Sequence, residues 1–300
     1  TVGSWLIREF LRVKTGHELK QLIHAIENGD IVWHALPFTV HSELMTKELF
    51  EYSLSFFQEL DQRFGKTTIA GKFTDVPGHT RGIIAPLAKA GVKLLHVGIN
   101  PASAVAKIPA VCRWRDAGGN EIILVYQGDY GTLVELPGSD TAFLVRVTGD
   151  NTGPDTPAAV EAEILKLKAE YPGVTVSGGT LDDLAVEALK HRDRYPVLTQ
   201  EIGDSWIHGV GSDPWKVKRF RGYLEFAKTL EPEFKSHFLE PLTMVAEHTW
   251  GLDEKTHFAK QRCAWTAEEL EAIADTPECR YFASSWREQR NYLVQAAASL

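Results

Sequence analysis

The chain has 300 residues, 44% of them hydrophobic, and carries a formal net charge of −8 with a pI near 5.8. That is enough apolar material for a large core, while the absence of any basic block argues against a nucleic-acid partner. The apolar runs fall far short of the ~20 residues that span a bilayer. The three cysteines, Cys112, Cys263 and Cys279, are odd in number and far apart, which excludes a disulfide framework or a cysteine-based zinc knuckle as the organising feature. No targeting motif is visible, and the sequence leaves the compartment open.

In chain order, residues 1–6 read as the start of a helix. Strands are predicted at 31–36, 67–74, 92–97, 121–126, 142–148, 174–177 and 196–200. Amphipathic helices are predicted at 41–64, 81–90, 157–171 and 180–192. Strands alternating with helices predict α/β architecture, a (β/α) barrel of about seven parallel strands. After Pro214 the helical patterns at 215–230, 232–249, 266–276 and 281–300 follow without a convincing strand. The expected division is therefore an α/β barrel over 1–214 and a helical bundle segment over 215–300.

The segments that follow the predicted strands hold most of the chemistry. The run F-T-D-V-P-G-H at 73–79 puts Asp75 at the carboxyl end of a strand broken at once by Pro77 and Gly78. An acid there is either a helix cap or a group in a site, since parallel barrels keep their chemistry at that end. The pattern recurs in G-I-N-P at 98–101, T-G-D-N-T-G-P at 148–154 and E-I-G-D-S-W at 201–206, so a site is the better reading of the set. The bundle adds E-H-T-W-G at 247–251, where His248 is either a satisfied core histidine or a metal ligand. His34 lies in the first predicted strand and His41 and Glu43 follow it, where Ser42 could equally cap a helix. Trp206, Trp215 and Trp250 are packing residues or sugar platforms, and Trp206 and Trp250 adjoin the motifs.

The order of these segments resembles the catalytic region of the family 38 glycoside hydrolases, the zinc-dependent α-mannosidases. F-T-D-V-P-G-H followed by a helix and A-G-V-K-L-L-H-V is similar to that family's strand-D-x-F-G-H segment. C-R-W-R-D-A-G-G-N-E-I-I-L at 112–124 resembles W-R-G-x-D-G. The loop at 148–154, G-D-S-W at 203–206 and E-H-T-W-G at 247–251 resemble three further segments of the family in the same order. The resemblance covers most of residues 30–255.

What the resemblance implies is a retaining, metal-dependent glycoside hydrolase acting on carbohydrate. Asp75 matches the residue that is both nucleophile and zinc ligand, and His248 matches the histidine ligand from the bundle. Asp204 matches the general acid/base, with Glu201 as the alternative. His79, Asp150, Asn151, Trp206, Trp250 and His41 fall among substrate contacts. A retaining glycosidase needs two carboxylates about 5–5.5 Å apart, and a metal on the sugar hydroxyls would orient the ring. The family's two other zinc ligands come from an H-x-D on its first strand. The chain is read as holding no H-x-D and as starting in the helix after that strand, so it is expected to lack the strand, and Asp75 with His248 makes half of a four-ligand zinc shell. Other readings are a metal-dependent carbohydrate deacetylase and a non-catalytic carbohydrate-binding relic.

Overall fold

A computed structural model describes residues 1–148, 153–253 and 266–300. Its central feature is a five-stranded sheet in the order β3 (Ala70–Asp75), β4 (Leu94–Ile99), β6 (Glu121–Gln127), β5 (Val111–Arg115), β9 (Val197–Leu198). β3, β4 and β6 run parallel, β5 is antiparallel to β6, and β9 is parallel to β5. A short parallel pair, β1 (Val2–Gly3) and β2 (Trp33–His34), extends the sheet beside β3, where the Ala35 N–H donates to the Ala70 carbonyl. β7 (Leu133–Glu135) and β8 (Ala142–Leu144) form a separate antiparallel hairpin.

Helices cover both faces of the sheet, which explains why β4, L-L-H-V-G-I, is buried at every position. On one face Phe73, Val97, Ile99 and Leu124 pack against α3 (Lys47–Phe64) and α4 (Ile84–Lys89) through Phe50, Leu54, Phe57, Ile84 and Leu87. α1 (Ser4–Val13) and α2 (Gly16–Asn28) join this core through Ile7, Leu22 and Ile26. On the other face Ala70, Leu94, Ile123 and Val125 meet α6 (Leu181–Lys190) and Val134 of the hairpin. α5 (Pro157–Glu170) buries no side chain.

The helices α7 (Pro214–Ala227), α8 (Pro232–Val245), α9 (Ala267–Ile273) and α10 (Pro277–Ala298) follow, as the patterning predicts. Their core of Phe220, Leu224, Phe238, Leu242 and Leu293 also takes in Leu44 and Leu49. α3 thus carries apolar residues on two sides, one for the sheet and one for the bundle. Its start is fixed locally: the Thr46 hydroxyl accepts the Leu49 N–H, so the helix begins at Lys47, after a 3-10 turn at Ser42–Leu44, and not at 41.

The predicted barrel of seven parallel strands is corrected in five respects. The sheet is mixed, and no ladder among the described residues joins β9 back to β1. Residues 174–177 form no strand and are mostly exposed, so their β-branched pattern finds no strand partner among the described residues. The strand predicted at 142–148 is the short β8 and pairs outside the main sheet. β5 was not predicted, because its sequence V-C-R-W-R carries two arginines, whose charges pair with Glu121 near the sheet edge. Finally, residues 2–3 are strand and the helix begins at Ser4, one turn later than the sequence suggests.

Candidate active site

β3 ends in a distorted turn. Asp75 has φ of +90°, and the Val76 N–H closes back on the Thr74 carbonyl at 3.3 Å. Asp75 and Trp206 are the two non-glycine residues with positive φ among the described residues, and both come from the predicted site segments. Such conformations cost about 1–3 kcal/mol each and persist where surrounding structure imposes them. Here the imposing contacts are visible. The Asp75 carbonyl accepts the Asn100 N–H at 2.8 Å, and the Thr74 N–H donates to the Thr39 hydroxyl at 2.9 Å.

The Asp75 carboxylate is held on both oxygens. Oδ1 accepts from Asn100 Nδ2 and from the Tyr130 hydroxyl, each at 2.8 Å, and Oδ2 lies 3.1 Å from His248 Nε2. Burial opposes ionisation, but the hydrogen bonds from His248, Tyr130 and Asn100 outweigh it and hold the carboxyl below its ordinary range. On the far side of the imidazole, Glu247 Oε1 stands 2.6 Å from His248 Nδ1, an ion contact off the N–H direction rather than an aligned hydrogen bond. Burial disfavours the charged imidazole, yet Asp75 and Glu247 together push its pKa up to about 10. At neutral pH the unit is an imidazolium between two carboxylates.

The remaining segments converge on this unit. The loop after β3 crosses the 202–204 segment at two facing glycines. A Cβ on Gly78 would stand 2.4 Å from the Ile202 carbonyl oxygen, and one on Gly203, whose φ is +61°, would stand 2.0 Å from that of Pro77. The His79 N–H donates to the Ile202 carbonyl at 3.1 Å, fixing the crossing. Asp204 therefore passes against Gly78, and its Oδ1 accepts the Trp206 N–H at 2.9 Å, which supports the left-handed turn at Trp206. The Glu201 carboxylate accepts the Arg81 N–H. Nearby Glu43 is raised above the ordinary carboxylate range by burial and by the charge of Glu201.

Two residues predicted to touch substrate lie beneath the surface instead. His79 is 1% exposed, its ring stacked 4.1 Å from that of Phe73 and its Nδ1 3.1 Å from the Ser42 hydroxyl. His41 is buried as well, with Nε2 2.9 Å from the His248 carbonyl and Nδ1 3.3 Å from that of Ser205. Burial lowers the pKa of both, so they act as neutral struts that tie the loop after β2 to the two loops above it. Trp250 packs between His41, at 5.7 Å between ring centroids, and Lys216, whose Nζ stands 4.1 Å from its ring centre. Trp206 is half-buried. Asp150 and Asn151 lie outside the described residues.

The sequence reading missed Tyr130 and Glu247 as members of this unit and placed Asn100 near it only by position. The available signal for Tyr130 was an aromatic within G-D-Y-G, a turn sequence that ordinarily means no more than a loop. As for zinc, Asp75 Oδ2 and His248 Nε2 are spaced as two donors to one ion would be, but no cluster of three or more His, Cys, Asp or Glu occurs among the described residues. The reading that the chain holds no H-x-D is corrected: His191-Arg192-Asp193 is such a triplet, but it lies beyond α6, where His191 contacts Glu187. The described residues therefore do not complete a zinc shell.

Residues 210–300 match a family model described as a domain of unknown function, DUF5054. No curated protein matches the sequence. Among solved structures, the chain is similar to an α-mannosidase from Enterococcus faecalis V583, at 13% identity and a TM-score of 0.61, over 99% of this chain and 36% of that one. It is also similar to a protein in glycosyl hydrolase family 38 from Enterococcus faecalis, at 10% identity and a TM-score of 0.53, over 98% of this chain and 35% of that one. The chain thus spans about a third of the length of each, and at these identities what is shared is the fold. In fold, the chain resembles the family 38 glycoside hydrolases.

Proposed function

We propose that this chain carries the active-site part of a retaining glycoside hydrolase, with α-mannosides as the substrate class to test first. The observation that supports this most is Asp75: an ionised carboxylate in a strained turn at a strand end, fixed by Asn100, Tyr130 and His248, in a fold shared with an α-mannosidase. The two donors on Oδ1 set the plane of the carboxylate and hold its charge ready for attack on an anomeric carbon. His248 stays at the carboxylate through Oδ2, steadying the ionised form between turnovers.

Asp204 is the better candidate for acid and base, because the glycine crossing lays its backbone against the loop that carries Asp75, whereas the Glu201 carboxylate is engaged by Arg81. Asp204 would protonate the leaving oxygen and then take a proton from the water that releases the sugar. Trp206, beside it, would offer a ring face to the sugar. Asp75 and His248 would contribute two donors to a divalent ion if the shell is completed by other groups, and no step here depends on one.

Aryl α-mannosides with leaving groups of graded pKa, assayed beside an acetylated sugar, test this reading in the complete protein. Asp75→Asn is expected to lose at least about a thousandfold in kcat, since the amide keeps the shape and cannot attack. Asp204→Asn is expected to spare activated substrates and slow those with poor leaving groups. Unchanged turnover in Asp75→Asn overturns the proposal. Acetate release without glycoside cleavage moves the function to a carbohydrate deacetylase.

A further inference from the structure

Lys72, three residues before Asp75, is nearly enclosed, and no carboxylate among the described residues pairs with it. Burial alone brings its pKa down to about 7. An unpaired buried amine is costly to folding, so stability is a poor account of what it does there. Its surroundings are imidazoles: His96 stands directly opposite it on β4, and His34 lies close by on β2.

Both hydrogen bonds of Lys72 serve one loop. Its Nζ donates to the Tyr130 carbonyl at 2.7 Å and to His96 Nδ1 at 2.9 Å. That fixes the neutral tautomer of His96, whose Nε2–H donates to Gln127 Oε1 at 2.7 Å. Gln127 Nε2 then donates to the Thr132 hydroxyl at 2.7 Å. Residues 128–132 are thereby tied at Tyr130 and at Thr132. Gly98 lets them lie flat on β4, since a Cβ there would stand 2.4 Å from the Tyr130 carbonyl oxygen. At the centre of the loop the Tyr130 hydroxyl reaches Asp75 Oδ1, and Asn100 Nδ2 reaches the same hydroxyl at 3.2 Å.

We propose that Lys72 is a positioning residue for chemistry at Asp75: by holding the Tyr130 carbonyl, it sets the Tyr130 hydroxyl on the carboxylate. The catalytic part of this rests on the glycosidase reading above. The contact chain itself, from Lys72 through Tyr130 to Asp75, does not.

A double-mutant cycle in the full-length protein separates the two. Lys72→Met and Tyr130→Phe are each expected to lower kcat on an aryl α-mannoside about tenfold or more with KM nearly unchanged, and the double variant should be no slower than Tyr130→Phe. Multiplying losses, or an unchanged kcat in Lys72→Met, overturns the proposal. In parallel, 3-fluorotyrosine is incorporated and the Tyr130 fluorine signal assigned by its absence in Tyr130→Phe. That signal should move in both Lys72→Met and Asp75→Asn. A signal that stays put in Lys72→Met overturns the proposal whether or not any glycoside is cleaved. If it moves while the wild-type protein cleaves no glycoside, the positioning chain stands and the glycosidase reading fails. Should Lys72→Met not fold, Lys72→Gln, which keeps a donor on a shorter stem, takes its place in the same cycle.

Discussion

At the scale of single residues, Asp75 combines an acid side chain with a backbone conformation that most residues avoid. Asparagine and aspartate tolerate left-handed φ better than alanine does, because their short polar side chains bond locally. Asp75→Asn keeps an oxygen for Tyr130 and Asn100, while Asp75→Ala keeps neither that acceptor nor the tolerance. Both variants lose the ion pair with His248. Asp75→Ala is therefore expected to be the less stable of the two, by about 1 kcal/mol or more. Urea unfolding of both proteins at one pH checks this, and equal midpoints would show that the turn at Asp75 is unstrained.

At the scale of elements, the site depends on loops that cross at glycine. Gly203→Ala meets two penalties, a left-handed φ of +61° and a Cβ 2.0 Å from the Pro77 carbonyl oxygen. Gly29→Ala, after α2, meets only the first: its φ is +85° and nothing lies within 4 Å of the added carbon. Both are expected to lose stability, Gly29→Ala by about 1 kcal/mol and Gly203→Ala by about 1–3 kcal/mol. Only Gly203→Ala should also lose turnover, because the 201–206 segment must move away from Asp75. Paired measurements of thermal midpoint and kcat distinguish the two, and full activity in Gly203→Ala would remove the crossing from the account of the site.

At the scale of the whole molecule, buried histidines govern the response to acid. Burial brings His34, His79 and His96 each from 6.5 down to about 3. Unfolded, all three protonate near 6.5, so between those limits the unfolded chain binds more protons than the folded one. The stability they confer is complete above pH 6.5 and is lost as pH falls towards 3, with a slope of up to about 4 kcal/mol per pH unit. His248 behaves in the opposite sense. It is protonated in both states below 6.5, and its contribution declines only as pH rises from 6.5 through about 10. Unfolding free energy is therefore expected to fall steeply between pH 6.5 and pH 4. A flat profile over that range would mean that these histidines are not held neutral.

The sequence by itself determined the local features: strand–helix alternation, the breaks after Asp75 and before α7, the helices beyond Pro214, and the acids and imidazoles grouped in strand-following segments. These are legible because periodicity, Pro, Gly and capping residues act over a few neighbours. Only the tertiary structure decided which strands pair. Residues 174–177 had strand-like composition and found no partner, while V-C-R-W-R, with its arginines, was drawn into the sheet by β6 and Glu121. It also decided which imidazole meets carboxylates. His41, His79 and His248 look alike in sequence, yet the first two are enclosed struts and the third is charged between Asp75 and Glu247. Tyr130 and Lys72 were invisible as site residues for the same reason: their bonds to and toward Asp75 span 55 and 58 positions, a separation that only chain folding closes.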